Sequence, residues 1–154
     1  MKNDPTDARP DDTGPFVTFT VAGQLFGVPV AQVQDILTPD AIAPVPGGPR
    51  EVHGLINLRG RIVTVIDLRT RLSMPPRDGD AAGMCVTVEN GGEAYTLLVD
   101  GVGDVIPLDQ GRREGNPATL DAVWRDVAEA VYRTDNGLLV ALHIDRLLAI
   151  PAAA

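Results

Sequence analysis

The 154-residue sequence predicts a mainly β protein built from short strands, and three observations support this class. Apolar and polar residues alternate with period two in many short segments, as they do in half-buried strands. Hydrophobic residues make up 44% of the chain but aromatic residues only 4%, so Val, Leu and Ile must build most of the core, and Val and Ile favour strands. Sixteen glycines and thirteen prolines imply many turns. Short strands separated by frequent turns are typical of barrels and sandwiches.

A polar tail and a β-hairpin are predicted at the start of the chain. From residue 2 to residue 15 the sequence has four aspartates, three prolines and no aliphatic residue larger than Ala8. Such a segment cannot bury enough surface to offset its ordering entropy, so 1–15 is predicted to be a disordered tail. Apolar residues then alternate in 16–21 and again in 26–30, on either side of a short turn, which predicts two paired strands.

The next segment changes its period. Val33, Ile36 and Leu37 follow the i, i+3, i+4 spacing of one helical face, which predicts a short helix over 31–37. A proline at position 39 limits this helix to about two turns.

Two strongly apolar segments, 52–58 and 62–68, flank a two-residue turn and predict a second pair of strands. A helical turn is predicted to follow at 68–72. The segment near 74–83 is polar and rich in proline, so it is predicted to be an exposed connection. We therefore expect the connection between two lobes of the domain near 74–83.

The second half of the chain predicts two further hairpins. Residues 84–89 and 93–99 flank the sequence Asn-Gly-Gly, which is a strong hairpin signal. Residues 128–133 and 138–144 flank Thr-Asp-Asn-Gly in the same way. The segment 107–119 between these hairpins is predicted to be a long polar loop.

The chain is predicted to end with a short helix. Asp145 is placed to accept hydrogen bonds from the free N–H groups at the helix start, and the helix is expected to reach Ile150. Residues 151–154 then form a C-terminal tail.

The charge balance argues against nucleic-acid and membrane-surface binding. Thirteen basic and twenty-one acidic residues give a formal net charge of −8, and no run of Lys and Arg offsets it locally. This charge repels phosphate backbones and anionic lipid heads. The N-terminus has no apolar signal sequence, and no apolar stretch approaches the ~20 residues of a membrane helix. A cytoplasmic protein with no direct membrane insertion is expected.

Metal, cofactor and cysteine chemistry have little support in the sequence. Cys85 is the only cysteine, so an intramolecular disulfide and a cysteine zinc cluster are excluded. His53 and His143 are the only histidines and have no ligand spacing around them. The Gly-Val-Gly at 101–103 lacks the third glycine of a dinucleotide fingerprint. No metal site and no cofactor are expected.

The strongest enzymatic alternative is a small hydrolase that uses Asp67 and Asp100. Both residues lie beside apolar strands, and general acid–base catalysis needs two groups held at a substrate. Aspartates at strand ends more commonly cap turns, and no other catalytic motif accompanies them. The sequence therefore favours a protein that is not an enzyme.

Arg59 allows two interpretations. It lies at a tight turn between two apolar strands, where an arginine is commonly just solvated. A rigid turn also holds a guanidinium in one direction, which suits recognition of a carboxylate or of carbonyl groups on a partner.

Four segments in order resemble the CheW family of chemotaxis coupling proteins. Residues 52–69, VHGLINLRGRIVTVIDLR, closely match the family pattern VxGxxNLRGxIxxVIDLR. Residues 33–36 are similar to its VxEI helix, with Asp35 in place of the usual Glu. Residues 98–105 resemble its VDxVxxV segment. Residues 138–148 resemble the closing segment, with His143 where Asp or Asn is common.

Membership of this family implies a fold and a function. The fold would be two intertwined SH3-like β-barrels over 16–150, with short helices and a groove between the barrels. The function would be that of a non-catalytic adaptor in a bacterial signalling array. Such an adaptor binds methyl-accepting chemotaxis receptors and the regulatory domain of the histidine kinase CheA, and it is recruited to membrane receptor arrays. A CheW-like scaffold of a non-chemotaxis array remains an alternative.

The resemblance also implies two sets of contact residues. The receptor-binding set maps onto Val33, Asp35, Arg59, Val102 and Val105. The kinase-binding set maps onto Ile42, His53 and Gly54. We further expect Asp35 and Arg59 to lie close together, so that the carboxylate holds the guanidinium in place.

Overall fold

The computed structural model describes residues 14–38, 42–44, 50–75, 83–108, 110–114 and 122–149. Its first half contains β1 (Gly14–Val21), β2 (Gln24–Pro29), β3 (Val33–Leu37), β4 (Val52–Leu58), β5 (Arg61–Asp67) and α1 (Leu68–Arg71). Its second half contains β6 (Met84–Asn90), β7 (Glu93–Val99), β8 (Gly101–Leu108), β9 (Arg113–Glu114), α2 (Ala122–Val127), β10 (Ala128–Thr134), β11 (Gly137–Leu142) and α3 (Ile144–Leu147). Short 3-10 turns lie at Val30–Gln32 and Gln110–Arg112.

The strands form two sheets, which confirms the mainly β prediction. The six-stranded sheet has the order β8-β1-β2-β11-β10-β9, and the five-stranded sheet has the order β3-β6-β7-β5-β4. The first and last parts of the chain share one sheet, because β2 and β11 pair in parallel with Phe26 opposite Val140. The middle of the chain builds the other sheet. This arrangement is consistent with two intertwined SH3-like barrels.

The tails fall mostly outside the described residues. Residues 1–13 and 151–154 are not described, so the two predicted tails stay predictions there. Gly14 and Pro15 belong to β1, because they pair with Leu108 and Pro107 of β8. The first strand therefore starts before the predicted tail ends.

The connection between lobes predicted near 74–83 lies mostly outside the described residues and stays a prediction. This segment joins α1 to β6, and β5 and β6 lie in the same five-stranded sheet. The chain changes sheets between β2 and β3, through Val30–Gln32, and again between β7 and β8, at Asp100. Polar, proline-rich composition marks an exposed segment but carries no information about which strands pair.

The helix predicted over 31–37 is wrong. Val33–Leu37 is strand β3, which pairs antiparallel with β6 and places Ile36 opposite Val86. Five residues are too few for periodicity to distinguish a helix from a strand. The partner strand satisfies the backbone groups of this segment, so pairing decides its structure.

The end of the chain differs from the prediction in two details. The N-cap of helix α3 is His143, two residues before the predicted cap Asp145, and its Nδ1 accepts a hydrogen bond from the Arg146 N–H at 3.4 Å. Asp145 lies inside the helix, and Ile150 is outside the described residues. The predicted loop at 107–119 begins as the last residues of β8 and continues into β9.

A central apolar cluster lies between the sheets and contains residues of both. Phe19 and Phe26 of the six-stranded sheet and Val86 and Leu97 of the five-stranded sheet are fully buried within it. Trp124 of α2 covers its edge, and its indole packs against Phe26. Nε1 of Trp124 donates to the carbonyl of Leu72, at the end of α1, at 3.0 Å. The sheets therefore share one core.

The Asp100 carboxylate joins the two sheets where the chain passes between them. It accepts from Nε of Arg69 at 3.1 Å and from Nη2 at 2.6 Å. It also accepts from the backbone N–H of Ala22, in the β1–β2 turn, at 2.7 Å. The side chains of Arg69 and Asp100 are only 17% and 24% exposed. One half-buried carboxylate thus holds α1 and a turn of the other sheet together.

We predict that Asp100→Ala lowers the free energy of unfolding by about 2–3 kcal/mol, because it removes the half-buried carboxylate that accepts from Nε and Nη2 of Arg69 and from the Ala22 N–H. Urea denaturation measures the change. Arg133→Ala is the control, since the ion pair of Arg133 with Glu114 is largely exposed and is worth at most about 1 kcal/mol. Equal effects of the two variants would contradict the role given to Asp100.

Candidate partner-binding site

The turn between β4 and β5 fixes the direction of Arg59. Leu58 pairs with Arg61, so the hairpin turns through Arg59 and Gly60, whose φ angles are +54° and +86°. Positive φ at both central residues is the type I′ geometry that matches the strand twist. The Asn57 side chain braces the turn by accepting from the Gly60 N–H at 2.9 Å. The arginine is therefore presented from a rigid tip.

Asp35 holds the Arg59 guanidinium, as the sequence predicted. Nη2 of Arg59 lies 2.7 Å from Oδ2 of Asp35, and the two side chains are 75% and 22% exposed. Asp35 lies on β3 and Arg59 follows β4, and these are the two edge strands of the five-stranded sheet. Within the described part of the chain, the Arg59 side chain makes no other hydrogen bond or ion pair. Its remaining N–H donors face solvent.

A β-bulge in β8 brings two predicted receptor contacts to one side. Val105 pairs with Val17 and Val102 pairs with Phe19, so β8 has one extra residue opposite Thr18. Val102 and Val105 therefore share a face although they are three residues apart. Thr18 stabilises the bulge through a 2.6 Å hydrogen bond from its hydroxyl to the carbonyl of residue 104.

The predicted apolar contacts differ in how much surface they offer. Val105 is 56% exposed. Val33 and Val102 are half-buried and pack against the central cluster. Val105 is thus the member of this set with the most exposed apolar surface, whereas Val33 and Val102 are partly covered by the central cluster.

The predicted kinase contacts lie along β4. Ala43 forms two 2.8 Å backbone hydrogen bonds with Leu55, which brings the neighbouring Ile42 against Gly54. A Cβ atom on Gly54 would lie 2.3 Å from the Ala43 carbonyl oxygen and 2.7 Å from Cγ2 of Ile42. Gly54 is buried, so it acts by allowing this close approach, whereas His53 is exposed.

The carboxylates of the hydrolase alternative have structural contacts. Asp67 caps α1 by accepting from the Arg69 N–H at 3.0 Å, and Asp100 joins the sheets. In the described ranges, no group of three or more His, Cys, Asp or Glu side chains could hold a metal ion. None of the helices described is long and apolar enough to span a membrane. The geometry provides no support for the hydrolase.

Comparison with known proteins identifies the family. A family model described as a CheW-like domain matches residues 15–151. The chain belongs to the CheW-like domain family. A probable chemotaxis protein CheW of Rhizobium etli is 26% identical over 133 residues, which are 86% of each chain. The chemotaxis protein CheW of Bacillus subtilis is 27% identical over 132 residues, 86% of this chain and 85% of the relative.

A solved CheW structure supports the same assignment. The scaffolding protein TtCheW of Thermoanaerobacter tengcongensis superposes with a TM-score of 0.79 and 29% identity, over 90% of this chain and 94% of that one. The CheW-like fold therefore holds for nearly the whole chain.

Two features of this CheW-like domain were missed by sequence reasoning. The joint formed by Arg69 and Asp100 connects motifs 31 residues apart in sequence. The β8 bulge depends on Thr18, and the only local signal for it is Gly103, where a Cβ would lie 2.8 Å from the Thr18 hydroxyl.

We predict that Gly54→Ala lowers the free energy of unfolding by about 1–3 kcal/mol, because the added Cβ meets the Ala43 carbonyl and the backbone must shift. Thermal and urea denaturation measure the loss. Gly101→Ala, another strand glycine, is the control, since its Cβ would meet only the Thr20 hydroxyl at 3.5 Å. If Gly54→Ala is as stable as the control, the close approach is not required.

Proposed function

We propose that this CheW-like protein is a non-catalytic adaptor that couples methyl-accepting chemotaxis receptors to the histidine kinase CheA. The observation that carries the proposal is the ion pair of Arg59 and Asp35. A guanidinium that is 75% exposed, held by a carboxylate and presented from a braced turn, is suited to recognition. The similar chemotaxis proteins CheW and the similar scaffolding protein TtCheW support the chemotaxis setting.

The receptor side is proposed to use polar and apolar contacts together. Arg59 offers N–H donors beyond the one that Asp35 accepts. Val105 offers exposed apolar surface on β8, with Val102 on the same face. A receptor helix with an acceptor group beside an apolar stripe matches this chemistry.

The kinase side is proposed to lie along β4. Ile42, His53 and Gly54 are placed together there by the contact of residues 42–43 with β4, and His53 is exposed. Separate receptor and kinase surfaces on one rigid core allow both partners to bind at once. Simultaneous binding is what a coupling free energy between partners requires. The protein would act in the cytoplasm and reach the membrane array through the receptors.

We predict that Arg59→Ala retains the stability of the parent within about 1 kcal/mol, because the guanidinium it removes is 75% exposed and its attraction to Asp35 is screened by solvent. The same variant should lose receptor binding by about 2 kcal/mol or more, since its removal leaves receptor acceptors unpaired at a partly desolvated contact. Thermal denaturation and pull-down with a receptor cytoplasmic fragment measure the two effects. CheA binding should be retained.

Arg133→Ala is the matched control, because Arg133 is also an exposed arginine in a surface ion pair. This variant should bind both partners as the parent does. Unfolding of Arg59→Ala, or receptor binding equal to that of the control, would show that Arg59 is structural or merely solvated.

We also predict that Asp35 acts through Arg59. Asp35→Ala should weaken receptor binding in the parent, because it releases the guanidinium from its orientation. It should have little further effect in the Arg59→Ala background, since residues that act as a unit are not additive. A double-mutant cycle on the receptor affinity measures this coupling. Additive losses would mean that Asp35 contacts the receptor independently.

A further inference from the structure

We propose that Arg61 is a second receptor-contacting guanidinium and that, with Arg59, it selects a receptor segment carrying a carboxylate. The inference rests on the proposed function, because it names a further contact for the same partner. Arg61 occupies a variable position of the family pattern NLRGxI, so it is a feature of this chain and not of the shared motif.

The alternation of β5 places Arg61 at an open end of the five-stranded sheet. Val65 and Val63 are 0% and 3% exposed and belong to an apolar cluster on one face of that sheet. Arg61 is two residues before Val63, so it continues the same face but is exposed. Its cross-strand partner Leu58 packs against the same cluster. The arginine therefore stands at the rim of a core and not on the outer face.

The tip presents one paired and one unpaired guanidinium. Arg59 is held by Asp35, whereas Arg61 has no side-chain hydrogen bond or ion pair within the described ranges. Only Gly60 separates the two arginines, in a turn whose geometry Asn57 braces. Arg61 therefore has all its donors available for a partner.

Two carboxylates lie on the same face as Arg61: Asp35, which binds Arg59, and Glu89. Glu89 of β6 pairs with Ala94 of β7, so it faces the same side as Arg61. β6 and β5 are separated by β7, which corresponds to about 10 Å at ordinary strand spacing, and no ion pair forms between Glu89 and Arg61. Arg61 is not neutralised by its own sheet.

The positive charge at the β4–β5 turn contrasts with the negative net charge of the whole chain. A net charge of −8 repels an acidic partner from most of the surface. At the β4–β5 turn, Arg61 carries a positive charge that no carboxylate of the described residues pairs, and Arg59 adds its remaining N–H donors. Complementary charges at the rim of an interface set partner choice and the association rate more than they set total affinity. Arg61 is thus assigned a specificity role for acidic receptor segments.

The test uses the full chain and a purified cytoplasmic fragment of a methyl-accepting receptor. Arg61→Ala should weaken binding by about threefold to tenfold at low salt, the range for a partly solvated charged contact, and the loss should shrink at high salt. Arg61→Glu should weaken binding more, and Arg61→Lys should retain most of it. Melting temperatures should stay unchanged.

Arg125→Ala, at an exposed arginine of α2, is the charge-matched control and should bind as the parent does. Glu89→Gln tests the indirect explanation: if Arg61 only neutralises Glu89, adding this change to Arg61→Ala will restore binding and overturn the proposal. Full binding by Arg61→Ala while Arg59→Ala fails would overturn this inference but leave the proposed function intact. Full binding by both variants would overturn the proposed function itself.

Discussion

The joint between Asp100 and Arg69 is the interaction on which the rest of the structure depends. The chain passes from one sheet to the other at Asp100, and the carboxylate there binds both α1 and the β1–β2 turn. Arg71, on the same short helix, donates to two carbonyls at the end of α3, at 2.8 Å each. Helix α1 therefore ties the middle of the chain to its first hairpin and to its C-terminal helix.

This joint contributes orientation more than net stability. The Coulomb attraction of a half-buried ion pair is largely offset by the cost of desolvating its two charges. Replacement of both residues by apolar ones of similar size is therefore often neutral for stability. Apolar packing alone is non-directional, and two sheets that share one apolar cluster could slide relative to each other. Directed hydrogen bonds at the crossing define one arrangement. The polar joint therefore sets the relative position of the sheets.

That position connects the two parts of the candidate receptor surface. Arg59 and Asp35 belong to the five-stranded sheet, while Val102 and Val105 belong to the six-stranded sheet. A partner that contacts both parts senses their spacing, which the joint sets. The ion pair of Arg59 with Asp35 likewise holds β3 next to the β4–β5 turn, so it joins the two edge strands of the five-stranded sheet. An adaptor that conveys a coupling free energy needs surfaces held in a constant relation.

Local chemistry in the sequence was enough to predict the β class, the hairpins and the tight turn that carries Arg59, because these depend on residues within a few positions of each other. The proximity of Asp35 to Arg59 followed from the family resemblance and not from periodicity. The tertiary structure alone decided that Val33–Leu37 is a strand, since its hydrogen-bond partners lie in β6, far along the chain. It also decided where the chain changes sheets and how a bulge opposite Thr18 aligns the β8 valines. Each of these depends on backbone pairing between distant segments, and a pattern read along one segment contains no information about its partner.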